Sequence, residues 1–362
     1  MQGQWPRAIA ALVVFAVATA AGVAVFGRFD TAPDSTTFVN QVTADSFALI
    51  LAIAMVVGAV VFFGLERAQT GRLASIEGQF TTRTFVLMPV AIAINIALGT
   101  ALAYALKIPI YMDSIGTILV GVLCGPIAGA VTGALGNILW AYVIPPPFQY
   151  PPGAAFAIVA AVIGLIAGLA GRLGVLKPRP NRSLRELATG GTAATALIAV
   201  MAFLAFQGYA KIIGAANLTP QGDNTILVIL SWLALALVIG AILGLIALLA
   251  IRRDLTAAYT VVTGVITGLI CALISAPIAA GVFGGVTASG TDFLVAAFRQ
   301  AGADLQAATL GQGLISDPID KVITFFVVYV IVGSMARRTK ARFPQGERLL
   351  DAESLDRAET LA

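Results

Sequence analysis

Apolar runs of about twenty residues recur along the whole chain, and this repetition restricts the fold more than any other feature. Of the 362 residues, 59% are hydrophobic and only 11% are charged, whereas roughly 25% are charged in a typical soluble domain. A helix of about 20 apolar residues crosses the hydrocarbon core of a bilayer. We therefore predict an all-α polytopic membrane protein with about ten transmembrane helices. The runs are 8–26, 46–64, 84–106, 114–124, 126–143, 155–171, 188–208, 225–250, 256–280 and 318–335.

The first run has two interpretations. Ala18-Thr19-Ala20 offers a possible signal-peptide cleavage site, but the apolar stretch continues to Phe26. This is longer than the roughly 7 to 15 residues of a usual signal core. We favour a helix that is retained in the membrane.

The distribution of basic residues predicts the orientation of the chain. Lys and Arg accumulate on the cytoplasmic side because they resist translocation. With ten crossings and the N-terminus inside, 17 of the 22 Lys and Arg residues fall in cytoplasmic segments, Lys321 lies at a helix entrance, and four lie outside: Arg28, Lys107, Lys211 and Arg299. The sequence pI of about 9.2 therefore indicates topology rather than nucleic-acid binding. We expect a multi-pass protein of a bacterial cell membrane with both termini in the cytoplasm.

The composition argues against several classes of function. The chain has no histidine, and its two cysteines, Cys124 and Cys271, lie inside apolar runs. A disulfide framework and the usual zinc or haem sites are therefore unsupported, and the commonest general base is missing. No Gly-Lys dipeptide occurs, so there is no Walker A loop. We expect no enzymatic activity, no metal and no cofactor.

The stretch from Tyr111 to Ile144 departs from the pattern of ordinary spans. Its first run, 114–124, ends at Gly125-Pro126 and would rise only about 16 Å as a helix, roughly half a membrane. Interrupted segments at membrane depth often line binding sites. A tight cytoplasmic hairpin between two ordinary spans is the alternative.

Pairs of glycines four residues apart predict closely packed helices, since a missing side chain lets two backbones approach. The pairs are Gly129/Gly133, Gly164/Gly168, Gly240/Gly244 and Gly264/Gly268. The loop that follows the hairpin, PPPFQYPPG at 145–153, is expected to be extended and stiff because of its prolines.

Several polar residues have both a structural and a binding interpretation. Asn95 is expected to form either an interhelical hydrogen bond or a ligand contact. Asp113-Ser114 and Asp317-Pro318-Ile319-Asp320 fit helix starts with capping acids, which does not exclude binding. Lys321 lies one turn after Asp317 and is expected to pair either with that acid or with a ligand.

Two stretches resemble the substrate-specific components of energy-coupling-factor (ECF) transporters. They are IYMDSIGTILVGVLCGPIAGAVTGALGNILW and LISAPIAAGVFGGVTASGTDFLVAAF…GLISDPIDKVITFFVVYVIV. The resemblance implies a six-helix membrane subunit that captures a vitamin, here formed by 84–175 and 255–337. It also implies association with a transmembrane coupling subunit and two ATPase subunits.

The resemblance further implies a ligand pocket in the outer half of the bundle and a docking face of small residues on the helix at 84–106. There Ala93, Ala97 and Ala101 match the A-x-x-x-A pattern. The chain departs from the six-helix pattern by extra helices that could cover this face. We divide it into a two-helix extension (1–65), a cytoplasmic linker (66–83), four core helices (84–175), a two-helix insertion (187–250), two core helices (255–337) with an outside segment (281–316), and a cytoplasmic tail (338–362).

We expect a substrate-capture subunit of an ATP-driven importer that binds a small vitamin-like or ring-containing metabolite. A membrane ligand-sensing module and a stand-alone secondary transporter are the alternatives. The expected partners are the substrate, the coupling and ATPase subunits and the lipid bilayer, without nucleic acid. The expected substrate contacts are Asn95, Asp113, Ser114, Asn137, Trp140, Phe148, Tyr150, Gln312, Asp317, Asp320 and Lys321.

Overall fold

The computed structural model describes residues 4–26, 38–106, 110–146, 148–179, 183–218 and 255–350, with scattered single residues between 232 and 251. These residues form helices joined by turns, with no strand among them. The helices are α1 (Gln4–Phe26), α2 (Phe38–Thr70), α3 (Thr82–Leu98), α4 (Ile115–Cys124), α5 (Pro126–Tyr142), α6 (Ala157–Arg172), α7 (Leu184–Leu218), α8 (Thr256–Phe283), α9 (Asp292–Gln300), α10 (Leu305–Ser334) and α11 (Arg337–Ala341). A π-helical segment, Gly99–Ala105, continues α3, and 3₁₀ turns occupy Pro151–Phe156 and Gly346–Leu349.

Five helices within the described ranges are long and apolar enough to cross a membrane. Their apolar spans are Pro6–Val25, Leu49–Thr70, Thr82–Ala103, Gly153–Arg172 and Thr256–Phe283. The prediction of an all-α membrane protein is confirmed. Ten crossings stay a prediction, because the run at 225–250 lies almost wholly outside the described residues.

Three of the predicted glycine pairs bring helix backbones into contact. A Cβ added at Gly164 of α6 would lie 2.2 Å from the carbonyl carbon of Gly129 in α5, and one at Gly268 of α8 would lie 2.3 Å from Cα of Pro318 in α10. Side chains at these positions would force the helices apart. Gly240 and Gly244 differ, since no described atom lies within 4 Å of an added Cβ.

Helix α4 is short, as predicted, and is enclosed by protein. All ten of its residues are buried, so its rise of about 15 Å does not expose backbone groups to lipid. Gly125, with φ of 129°, makes the turn into α5, a conformation that favours glycine. The Gln79 side-chain oxygen accepts hydrogen bonds from the backbone N–H groups of Ile127 (3.0 Å) and Ala128 (3.3 Å). These bonds satisfy donors that the start of α5 would otherwise leave unpaired.

The start of α10 was predicted wrongly. The helix begins at Leu305, where the Asp304 carboxylate accepts from the Ala307 N–H at 2.7 Å. Asp317 and Pro318 therefore lie inside the helix instead of capping it. An acid followed by proline has the same local pattern at a helix start and within a helix, and here buried residues upstream, such as Gln312 and Ile315, extend the helix. The predicted outside segment 281–316 divides into α9 and the first turns of α10.

Three further elements differ in extent or conformation from the sequence prediction. The second half of the proline-rich loop is not extended, because Pro151–Phe156 forms a 3₁₀ turn, in which the fixed φ of proline is compatible. Helices α2 and α7 also continue beyond their apolar runs, 46–64 and 188–208.

The N-terminal helix pair packs against the side of the bundle formed by α8. Helix α1 contacts α2, and α2 contacts α8, whereas the described residues show no extensive contact of either helix with α3. Arg7 forms a salt bridge of 3.5 Å with Glu66, and Glu66 accepts a hydrogen bond of 2.9 Å from the Ser75 N–H. The extension is thereby joined to the linker and leaves one face of α3 uncovered.

Candidate functional site

A cavity lies at the end of the bundle where α4 begins, between α3, α5, α6, α8 and α10. Its empty volume is about 800 Å³, which includes open space at its mouth. Eight predicted contacts line it: Asn95, Asp113, Ser114, Asn137, Trp140, Tyr150, Asp317 and Lys321. Eight of the eleven candidate residues therefore surround one space, although they come from five different segments.

Asn95 connects α3 to α4 at the cavity wall. Its side-chain amide donates to Thr117 Oγ1 at 2.8 Å, and its oxygen accepts from the Gly116 N–H at 2.7 Å. The interhelical hydrogen bond that the sequence allowed is therefore present. Both ends of the amide are engaged, so Asn95 fixes the position of α4 beside the cavity.

Lys321 is paired with Asp320, not with Asp317. Its ammonium group donates to the adjacent Asp320 carboxylate and to Ser114 Oγ at 2.9 Å. Asp320 also accepts from the Met112 N–H at 2.7 Å. The cluster joins α10 to the turn that precedes α4. Ser114 occupies the N-cap position of α4 without a side-chain cap, because its hydroxyl accepts from Lys321.

Asp317 faces the cavity from α10 and accepts hydrogen bonds from two hydroxyl groups. Ser275 Oγ lies 3.2 Å from Oδ2, and Ser316 Oγ lies 3.3 Å from Oδ1. Gln312 donates to Ser316 Oγ at 2.6 Å and supports this arrangement from behind. Within the described chain, no basic side chain forms a salt bridge with Asp317.

Asp113 and Asn137 are two polar side chains of the cavity that the other described residues leave uncommitted. Both line the cavity, and neither side chain forms a hydrogen bond with another described residue. Burial raises the pKa of the Asp113 carboxyl, Lys321 opposes this shift, and Asp320 adds to it. A carboxylate and an amide in this position can bind donor and acceptor groups of a ligand.

Two aromatic rings form one wall of the cavity. The ring centroids of Trp140 and Tyr150 are 5.2 Å apart. Trp140 Nε1 donates to the Phe148 carbonyl at 2.8 Å, and the Tyr150 hydroxyl donates to the Thr287 carbonyl at 2.8 Å. These bonds hold the rings in place. Tyr111, which also lines the cavity, is hydrogen-bonded to Thr291 at 2.7 Å, and burial raises the pKa of its hydroxyl.

Three predicted contacts do not line the cavity. Phe148 is 58% exposed. It contributes its backbone carbonyl, which accepts from Trp140, and not its ring. Gln312 and Asp320 are buried behind the wall, where they hold Ser316 and Lys321. We therefore assign supporting positions, instead of ligand contacts, to these two residues.

Several residues that line the cavity were not predicted from the sequence. They are Tyr111, Thr117, Phe156, Ser275 and Thr287, among others. Ser275 and Thr117 are hydroxyl residues within apolar runs, which is the one signal that could have identified them. The π-helical segment after α3 was also missed. A Cβ at its first residue, Gly99, would lie 2.6 Å from Trp140 Cη2 and 3.0 Å from Asp113 Cβ, so this glycine makes room for both side chains.

The alanine face of α3 points away from the cavity. Ala93, Ala97 and Ala101 are exposed in the described structure, as are Val86 and Val90 on the same helix. The N-terminal helices, which the sequence suggested as a possible cover, pack elsewhere.

These features define a class: an all-α membrane protein with a polar and aromatic cavity at one end of its bundle. Comparison with family models, curated proteins and solved structures gave no match to this chain. The function is therefore argued from the site itself.

Proposed function

We propose that this chain is the substrate-capture subunit of an ECF-type importer and binds a small ring-containing metabolite on the extracellular side. One observation carries the proposal. The cavity places the uncommitted Asp113 and Asn137 beside the rings of Trp140 and Tyr150. Few polar groups in an otherwise mostly apolar pocket are typical of small-molecule sites.

The position of the cavity supports capture from outside. Basic residues that the charge distribution assigns to the cytoplasm meet at the other end of the bundle. Arg83 donates to the Arg342 carbonyl at 2.9 Å, and Arg348 donates to the Arg172 carbonyl at 3.0 Å. Positively charged ends of membrane helices usually face the cytoplasm. The cavity end then faces outside, in the ten-crossing arrangement with cytoplasmic termini.

Energy for uptake comes, in this proposal, from separate ATPase subunits joined through a transmembrane coupling subunit. The exposed face of Ala93, Ala97 and Ala101 supports docking of that coupling subunit, since small residues let two membrane helices approach closely. The described residues of the N-terminal extension pack against α8 and make no extensive contact with α3.

Ligand binding by the purified chain tests the capture function. A panel of ring-containing metabolites is titrated against protein in detergent or nanodiscs, and at least one compound is expected to bind with submicromolar affinity. Asp113→Asn and Asn137→Ala should each weaken that binding about tenfold or more, equivalent to at least about 1.4 kcal/mol. Asp304→Asn is the matched control, because Asp304 is an exposed helix cap and asparagine caps equally well. Unchanged affinity in both cavity variants would contradict the assignment.

A bulky residue on α3 tests the docking face separately. Ala97→Trp is expected to abolish ATP-dependent uptake in cells that express the coupling and ATPase subunits, while the purified variant still binds the ligand. Leu273→Trp, on an exposed position of α8, should leave uptake unchanged. Normal uptake by Ala97→Trp would show that another surface contacts the coupling subunit.

A further inference from the structure

The charges around the cavity are unbalanced, and this imbalance constrains the ligand. Asp113, Asp317 and Lys321 line the space, and Asp320 lies directly behind it. Among the described residues that line the cavity, Lys321 is the one basic side chain. Three carboxyl groups thus face or adjoin a cavity that contains one ammonium group.

The ammonium group of Lys321 is already matched. It donates to Asp320 and to Ser114 at the base of the cavity, so its charge is balanced by Asp320 without any ligand. The two remaining acids form no salt bridge within the described part of the chain. Among the described residues, the hydrogen bonds to the Asp317 carboxylate come from two serine hydroxyls, and the Asp113 carboxylate forms no hydrogen bond with another residue.

Two partly enclosed carboxyl groups that form no salt bridge with a described residue favour a positively charged occupant. A carboxylate in a low-dielectric site is costly unless it is paired or hydrogen-bonded. An anionic ligand would add a like charge near both acids, whereas a cation would neutralise them.

The aromatic wall restricts the class further. Trp140 and Tyr150 have ring centroids 5.2 Å apart and are fixed by hydrogen bonds at their polar atoms. Fixed indole and phenol faces attract both flat rings and cations. A bare metal ion would leave this wall without a partner.

We propose that the occupant is a small ring compound carrying a positively charged nitrogen, such as a protonated amine or an amidinium group. The nitrogen lies between Asp113 and Asp317, and the ring lies against Trp140 and Tyr150. This inference rests on the proposed capture function and names the chemical class of its substrate.

Two probe series that keep the ring and change only the charged group test the class. The first is tryptamine, tryptophol and indole-3-acetate, and the second is benzamidine, benzamide and benzoate. Binding to the full chain in nanodiscs is measured by calorimetry. In at least one series the cation is expected to bind roughly tenfold more tightly than the neutral compound and the anion.

Variants of Asp113 and Asp317 test whether these two acids cause the preference for the cationic probe. Asp113→Asn and Asp317→Asn should each reduce the preference for the cation to less than about threefold, and Asp304→Asn should keep it. Size-exclusion profiles establish that each variant is folded. If Asp317→Asn is not folded, Asp113→Asn carries the test, because the Asp113 carboxylate forms no hydrogen bond with another described residue.

The failures of the two proposals are distinguishable. Tighter binding of an anion or neutral probe, or a preference that survives in the variants, would overturn the charge class and leave the capture function standing. If none of the six probes binds, the class of cationic ring compounds is overturned, and the metabolite panel judges capture independently.

Discussion

Replacing Lys321 with methionine tests the buried ion pair at the base of the cavity. The side chains of Lys321 and Asp320 are only 4% and 0% exposed. Methionine occupies a similar volume but removes the ammonium group, which leaves the Asp320 carboxylate with the Met112 N–H as its remaining donor, at 2.7 Å. Removing one partner of a buried ion pair costs about 3–5 kcal/mol. We expect Lys321→Met to lower the free energy of unfolding by this amount.

A compensating variant separates the unpaired charge from simple loss of packing. Asp320→Asn combined with Lys321→Met removes both charges, and the new amide can still accept from the Met112 N–H. Buried ion pairs replaced as a unit are often close to neutral in stability. The double variant is therefore expected to lie within about 1–2 kcal/mol of the original chain.

Reversible unfolding in mixed detergent micelles, followed by helical circular dichroism, measures these free energies. Together with Asp320→Asn alone, these variants complete a double-mutant cycle whose coupling free energy reports the ion pair directly. The reasoning is refuted if Lys321→Met unfolds within about 0.5 kcal/mol of the original chain. It is also refuted if the double variant is less stable than Lys321→Met.

Three further changes test other parts of the structure. Gly164→Ala should cost several kcal/mol in unfolding experiments, because its Cβ would lie 2.2 Å from the Gly129 backbone; Gly64→Ala, with no atom within 4 Å of the added Cβ, should be neutral or stabilising by up to about 1 kcal/mol. Gly99→Ala should change the fluorescence of Trp140 and weaken ligand binding, since the new methyl group would lie 2.6 Å from Cη2; unchanged emission and affinity would contradict this. Asp113→Asn should stabilise the empty protein, because burial raises the pKa of Asp113 and the folded state then binds a proton more tightly than the unfolded state. Ionisation of Asp113 therefore destabilises the wild-type protein increasingly as the pH rises from about 4 through the raised pKa. The difference in unfolding free energy between Asp113→Asn and the wild type should increase over that range. A difference that stays constant would show that the pKa is not shifted.

Local patterns in the sequence predicted much of this architecture. The membrane class follows from the length and hydropathy of the runs, and the close contacts at Gly129, Gly164 and Gly268 follow from glycine spacing. The short α4 followed from the distance between Asp113 and the Gly125-Pro126 break. In each case the physical cause lies within one or two helices, which is why sequence alone could identify it.

Features set by contacts between distant segments could not be predicted in the same way. Helical spacing favours Asp317 as the partner of Lys321, because the two are one turn apart. Only the packing of α10 against the turn before α4 decides that Lys321 pairs with Asp320. The inclusion of Ser275 in the site depends on the approach of α8 to α10. Phe148 was predicted as a contact from its residue type, yet the loop uses its carbonyl and directs the ring outward.

Helix α3 has two different neighbours on its two sides. Asn95 and Gly99 adjoin the cavity, whereas Ala93, Ala97 and Ala101 are exposed on the opposite face. A protein seated on the alanines would therefore be separated from the cavity contents by one helix, about 10 Å across. A displacement of α3 and of the π-helical segment at its end would therefore move the cavity wall and the alanine surface together.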